Sequence, residues 1–89
     1  MKNIKYDIES EVLKALAHPL RLRLVDMLSK DDCCVTDIAQ SVQMPQSTVS
    51  QNLGILKKAG VIQPYKSGVK TCYKIANNKI ISILNILRK

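Results

Sequence analysis

The 89-residue sequence predicts a single mainly α-helical domain with one small β-hairpin. Three observations predict this class. Apolar residues recur at helical spacing in several segments, two strand-like segments flank Ser67-Gly68, and Pro or Gly stands between many of the segments. No repeat, low-complexity stretch or linker interrupts residues 1–89, so we expect five helices and a two-stranded hairpin in one continuous domain.

The first two helices meet at His18-Pro19. Proline disfavours the helical conformation in the residue before it, so the helix over 8–17 ends here and Pro19 starts the next one. We expect His18 to cap this junction. The apolar residues at helical spacing are Ile8, Val12, Leu13 and Leu16 in the first helix, and Leu20, Leu24, Val25 and Leu28 in the second.

A short strand and two further helices follow. Cys33-Cys34-Val35 is a candidate strand, and Thr36 is a plausible N-cap for a third helix with Ile38, Ala39 and Val42 on its inner face. A turn over 42–44 leads to a fourth helix, with Pro45 in its first turn and its end near Ala59. Its anchoring residues are Val49, Leu53 and Leu56, and Gly60 is the expected C-terminal cap.

The remaining chain predicts a hairpin and a last helix. Residues 61–66 and 70–75 are strand-like on either side of the Ser67-Gly68 turn, and Asn77 or Asn78 can cap a helix that runs through Leu87.

Charge and composition limit the function classes. The 14 basic and 7 acidic residues give a formal net charge of +7, which favours a polyanionic partner, although solubility alone also accounts for it. No apolar run is long enough to cross a bilayer, and Met1–Ser10 lacks the apolar core of a secretory signal, so we expect a cytoplasmic protein. Three cysteines in a reducing compartment do not suggest a disulfide framework.

The fourth helix carries the candidate DNA-reading residues. Two short helices joined by a tight turn describe a helix-turn-helix, whose second helix reads base edges with its N-terminal residues. The predicted contacts are Gln46, Ser47, Thr48, Ser50, Gln51 and Lys57 on the helix, with Lys66 and Lys70 on the following hairpin as a wing. The alternatives are a solvated helix face and a solvated turn.

Three segments in one register resemble the ArsR/SmtB family of winged-helix transcriptional repressors. They are Leu13 to Leu24, Pro45 to Leu53 and Leu56 to Ile62. The resemblance implies a homodimer that binds double-stranded DNA at an inverted-repeat operator and leaves it when an inducer binds. Asn52 stands where many members have His. Because Asn also donates and accepts hydrogen bonds, we include it among the predicted DNA contacts.

The last helix has an apolar arc too wide for one small core. We therefore expect residues 1–17 and 77–89 to form a dimer interface through Ile8, Val12, Ile80, Ile83, Leu84 and Leu87. The alternative is that this helix packs entirely within one chain. Two-fold symmetry would place two recognition helices about one DNA turn (roughly 34 Å) apart.

The sequence defines less about the inducer that would release the protein from DNA. Family metal sensors use a Cys-Val-Cys segment, whereas this chain has Cys34-Val35-Thr36, and no standard zinc site can be assembled. Cys33, Cys34 and Cys72 remain as possible sensing thiols, with Cys33 or Cys34 expected near Cys72 if the short strand pairs with the wing. They would act through thiol redox or reactive-sulfur chemistry or through a thiophilic metal or metalloid. The alternative is that they are inert buried residues.

Two other function classes are disfavoured. Adjacent cysteines lack the geometry of a redox enzyme motif, and His18 has no evident catalytic partner, so we predict no enzyme activity. A winged helix can also serve as a protein-interaction module, but the basic excess and the polar helix face argue against that role here.

Overall fold

The computed structural model describes residues 4–31 and 33–88 of the chain. The elements in order are α1 (Ile4–Leu16), α2 (Pro19–Lys30), β1 (Cys33–Cys34), α3 (Val35–Val42), α4 (Gln46–Lys58), β2 (Ile62–Ser67), β3 (Lys70–Ile75) and α5 (Asn78–Leu87). The predicted fold class, five helices with a two-stranded wing, is confirmed. The first helix begins at Ile4, earlier than predicted, and residues 4–7 add one exposed turn that contributes nothing to the buried core.

Two predictions about where helices begin are corrected. Cys34, not Thr36, is the N-cap of α3, because the strand β1 leads directly into the helix and leaves Thr36 within its first turn. Pro45 is the N-cap of α4 and lies just before its first turn, with an extended backbone at φ −56° and ψ 141°.

The three strands form one antiparallel sheet in the order β1-β3-β2. β2 and β3 are the hairpin, with Tyr65 opposite Cys72. β1 adds to the other edge of β3, where Cys33 is opposite Tyr73 and Cys34 is opposite Cys72. The predicted pairing of the short strand with the wing is therefore confirmed, and it joins the start of α3 to the wing.

The core consists of aliphatic side chains from all five helices and from the start of the hairpin. The most deeply buried residues are Leu24, Val25, Ile38, Val49, Leu53, Leu56, Val61 and Ile62. The predicted anchors of α4 are all among them, because residues spaced i, i+4 and i+7 lie on one side of a helix.

Local signals fix several element ends. The Nδ1 atom of His18 accepts a hydrogen bond from the Leu20 amide at 3.1 Å, and the Oδ1 atom of Asn77 accepts one from the Lys79 amide at 2.9 Å. Both caps satisfy amides that have no partner within the helix. Gly60, just beyond α4, has φ +79°, a left-handed conformation that costs glycine little.

The last helix packs partly within the chain. Ile80 and Leu84 are each 4% exposed and belong to the core, because one edge of the apolar arc is needed to close this small core. Ile80 also lines the groove between α1 and α5, and the place of both residues in a dimer interface stays a prediction. At the end of α5, Arg88 forms an ion pair with Asp26 of α2 at 2.8 Å.

Within the described part of the chain, no helix combines the length and apolar character needed to cross a membrane.

Candidate nucleic-acid interface

Helices α3 and α4 form the helix-turn-helix. The turn between them depends on Gln43, which has φ 56° and whose amide donates to the carbonyls of Ala39 and Gln40. This left-handed residue ends α3 as a glycine usually does and redirects the chain into α4. Buried Ile38 and Val42 on α3 and Val49 on α4 then hold the two helices together.

One side of α4 carries an exposed polar stripe. Gln46, Ser47, Ser50 and Gln51 are exposed, and Thr48 is half-buried. The spacing of these residues continues to Gly54 and Lys57, so the stripe runs the length of the helix opposite its buried anchors. The predicted base-reading residues are thus presented to solvent together, as a major-groove helix requires.

Asn52 has a different environment. Its amide Nδ2 donates to the Thr48 carbonyl at 2.9 Å, and its Oδ1 accepts from the guanidinium of Arg21 at 3.1 Å. Arg21 also donates from Nε to the Ala15 carbonyl at 2.6 Å. Through Arg21, Asn52 therefore holds α4 against α2 and α1, which gives its side chain a positioning role; its DNA contact stays a prediction.

The wing projects a basic tip. Gly68 at φ +63° makes the turn, and Val69 beside it is 97% exposed. Lys66 and Lys70 are both exposed, and Lys66 donates from Nζ to the Thr71 hydroxyl at 3.1 Å across the hairpin. The tip therefore offers one lysine on each strand to a polyanion.

Acidic and basic residues are distributed unequally along the chain. All seven acidic residues lie within residues 1–37, whereas residues 38–89 contain eight of the 14 basic residues. The recognition helix and the wing belong entirely to the second part. No carboxylate of these elements therefore opposes a phosphate backbone, and the summed potential on this side attracts one.

A cleft separates the wing from the recognition helix. Its volume is about 440 Å³, and it is lined by Gln46 and Ser50 of α4, by residues 69–71 and Tyr73 of the wing, and by residues 34–36. The lining is mostly polar, and within residues 4–31 and 33–88 its one charged member is Lys70. Three of the predicted DNA contacts therefore border the same concave surface.

A disulfide bond joins Cys34, which lines this cleft, to Cys72. Pairing of β1 with β3 places these two residues directly opposite each other, so the expected proximity of Cys33 or Cys34 to Cys72 is confirmed for Cys34. The three cysteines did not suggest this bond from the sequence alone. Cys72 is 3% exposed, and Cys34 is half-buried. The Cys33 side chain lies outside what the structure describes. No group of three or more His, Cys, Asp or Glu side chains suited to a metal ion occurs among the described residues.

Sequence reasoning missed the role of Arg21. The only local signal was a basic residue on the otherwise apolar start of α2, and that signal does not identify its two partners, which lie six and 31 residues away.

Comparison with known proteins shows which family the chain belongs to. The model of the arsR family of bacterial regulatory proteins matches residues 18–63. An uncharacterized HTH-type transcriptional regulator of Methanocaldococcus jannaschii is 33% identical over 84 residues, covering 93% of this chain and 94% of that protein. The transcriptional repressor PagR of Bacillus anthracis is 39% identical over 80 residues, covering 89% of this chain and 80% of the repressor.

The fold agrees with a solved structure as well. The homodimeric winged helix-turn-helix DNA-binding domain of Mb0332 from Mycobacterium bovis, studied in solution, superimposes with a TM-score of 0.89. The two share 29% sequence identity, and the match covers 96% of this chain and 79% of that domain. Helix-turn-helix, wing and family match agree, so this chain is a DNA-binding transcriptional regulator of the arsR family and not an enzyme.

Proposed function

We propose that the protein is a homodimeric repressor that binds an inverted-repeat operator in double-stranded DNA, acts in the cytoplasm and is released by an inducer. The observation that carries this proposal is the acid-free surface formed by the polar stripe of α4 and the basic wing. A helix-turn-helix of this shape reads bases through the stripe and contacts phosphates through the lysines.

The proposed dimer would form through an apolar surface on α1 and α5. α1 and α5 flank a groove of about 400 Å³ that is lined by Ile8, Val12, Leu13 and Ile83, among others. Ile8 is 59% exposed and Leu87 is 67% exposed, and exposed apolar side chains grouped on α1 and α5 are typical of an interaction surface. A second copy of the chain that packs its own α1 and α5 against this groove would bury these side chains, in line with the homodimeric state of the Mycobacterium bovis domain.

Dimer symmetry supports the form of the operator. A two-fold axis relates two recognition helices in opposite directions, so each reads one half of an inverted repeat about one helical turn apart. Two copies also double the basic surface, which strengthens the part of the binding that depends on counterion release.

The test uses a labelled duplex from the region upstream of the gene. Fluorescence anisotropy measures its affinity for the protein over a series of salt concentrations. For each protomer, Lys70→Ala should remove one phosphate contact and lower the slope of log affinity against log salt by about 0.9. A matched control is Lys14→Ala, which removes the same charge from α1, where Lys14 is exposed and forms an ion pair with Glu11 at 3.7 Å.

The control variant should retain the wild-type slope. Binding that does not change with salt, or equal effects of the two variants, would contradict DNA recognition by this surface and favour a protein partner instead.

A further inference from the structure

The two bonded cysteines differ in their access to solvent. Cys34 lines the cleft between the wing and α4, whereas Cys72 does not line it and is 3% exposed. A reagent that enters the cleft therefore meets the sulfur of Cys34 first. Cys72 is bonded to Cys34 across the strands, and its burial shields it from the same reagent.

The chemistry of the cleft indicates which reagents fit. Among the described residues, Lys70 is the one charged side chain that lines it, and the hydroxyls of Thr36, Ser50 and Thr71 lie around it. No acidic side chain of the described residues lines this cleft. A small disulfide that carries carboxylates, such as oxidised glutathione, would find a positive charge and hydrogen-bonding groups beside the reactive sulfur.

We propose that Cys34 and Cys72 form a reversible redox site for small anionic disulfides, in which Cys34 reacts first, Cys72 resolves the adduct, and operator DNA competes with the reagent for the cleft. This inference rests on the proposed DNA-binding function, because the competition requires DNA to cover the cleft.

The reaction proceeds by two exchanges. The Cys34 thiolate attacks one sulfur of the small disulfide, which forms a mixed disulfide on Cys34 and releases one small thiolate. The Cys72 thiolate then attacks the Cys34 sulfur, which forms the Cys34–Cys72 bond and releases the second small thiolate. The protein loses two electrons and two thiol protons, and the small disulfide is reduced to two thiols. Excess dithiol reductant reverses both steps.

The competition follows from shared residues. Gln46 and Ser50 of the recognition helix and Lys70 of the wing border the cleft, and all three belong to the proposed DNA contacts. A duplex held by these residues covers the route to Cys34. In turn, an anionic adduct on Cys34 places bulk and negative charge where a phosphate would lie. Because the effects are reciprocal, the adduct must weaken DNA binding by the same factor by which bound DNA disfavours the adduct.

The first experiment measures which sulfur reacts, in a Cys33→Ser background that removes the third thiol. The reduced protein is treated with dithiobis(nitrobenzoate), a chromogenic disulfide with two carboxylates. The parent should release about two thionitrobenzoate anions per chain and keep none bound. Adding Cys72→Ala should give about one released and one retained by mass spectrometry. Adding Cys34→Ser should slow the first release at least tenfold, and Ser is a favourable N-cap that keeps α3 intact.

The second experiment measures the competition. Saturating operator duplex should slow the first release from the parent at least tenfold, whereas an unrelated duplex at the same concentration should slow it less. A glutathione adduct trapped on Cys34 in the Cys72→Ala variant should lower operator affinity at least tenfold.

Each contrary result overturns a different part of this proposal. Equal reactivity of the Cys34→Ser variant, or a retained adduct on the parent, overturns the assignment of Cys34 and Cys72. Tight, salt-dependent operator binding with no protection of Cys34 and no effect of the adduct overturns the competition alone. Reduced protein that binds no upstream duplex overturns both the proposed function and the competition, while the stoichiometry still decides the redox site.

Discussion

Arg21 provides the sharpest test of how the recognition helix is held. Its guanidinium bonds the Ala15 carbonyl at 2.6 Å and the Asn52 side chain at 3.1 Å, and so joins α1 and α2 to α4. Arg21→Ala leaves both acceptors without this donor. A hydrogen bond to a charged group contributes about 1.5–3 kcal/mol, and two such bonds set an upper limit of about 6 kcal/mol.

The expected loss is smaller than that limit. The residue is half-buried, so water replaces part of the lost hydrogen bonding, and we expect the free energy of unfolding to fall by about 2–3 kcal/mol. For a domain of this size that corresponds to a decrease in Tm of roughly 10–20 °C. Thermal unfolding followed by circular dichroism, at equal protomer concentration because dimerisation adds stability, measures it.

Arg23→Ala is the matched control. Arg23 is exposed and makes one long hydrogen bond, at 3.4 Å, to the Ser41 carbonyl. Its loss should change stability by less than about 0.5 kcal/mol. If Arg21→Ala cost no more than Arg23→Ala, the bridge to Asn52 would contribute nothing measurable, and the positioning role assigned to Asn52 would be refuted.

Three further predictions concern other elements. Gly54→Ala should stabilise the protein by about 0.5–1 kcal/mol in the same unfolding assay, because a Cβ there meets nothing within 4 Å and alanine favours the helix; a lower Tm would contradict this. Ile8→Glu should convert dimer to monomer in analytical ultracentrifugation, whereas Val69→Glu at the exposed wing tip should not. The Arg88 side chain holds the pKa of Asp26 below its ordinary value of 3.8 by hydrogen bonding, so their contribution is present above that pH and is lost as pH falls through the lowered pKa. Arg88→Ala should therefore cost about 0.5 kcal/mol at neutral pH, and acid-unfolding curves should show the difference disappearing as the pH falls through the lowered pKa of Asp26.

The sequence by itself determined the elements and the polar surface of α4 that we propose reads DNA. Helical spacing identified the buried side of α4 and therefore its exposed stripe, and strand-like segments around Gly68 identified the wing. His18, Gly60 and Asn77 were recognisable as end signals. These features depend on residues within a few positions of one another, so the chain carries them whatever the rest of the fold does.

Only the tertiary structure decided which residues meet across the chain. Cys34 and Cys72 are 38 residues apart, and the register of β1 on β3, not their spacing, brings them together. The same holds for Arg21 with Asn52. The rotation of α5, which buries Ile80 and Leu84 and leaves Leu87 exposed, is also set by packing against other elements. Periodicity identifies an apolar arc, but only the volume left in the core decides which part of it the chain itself buries.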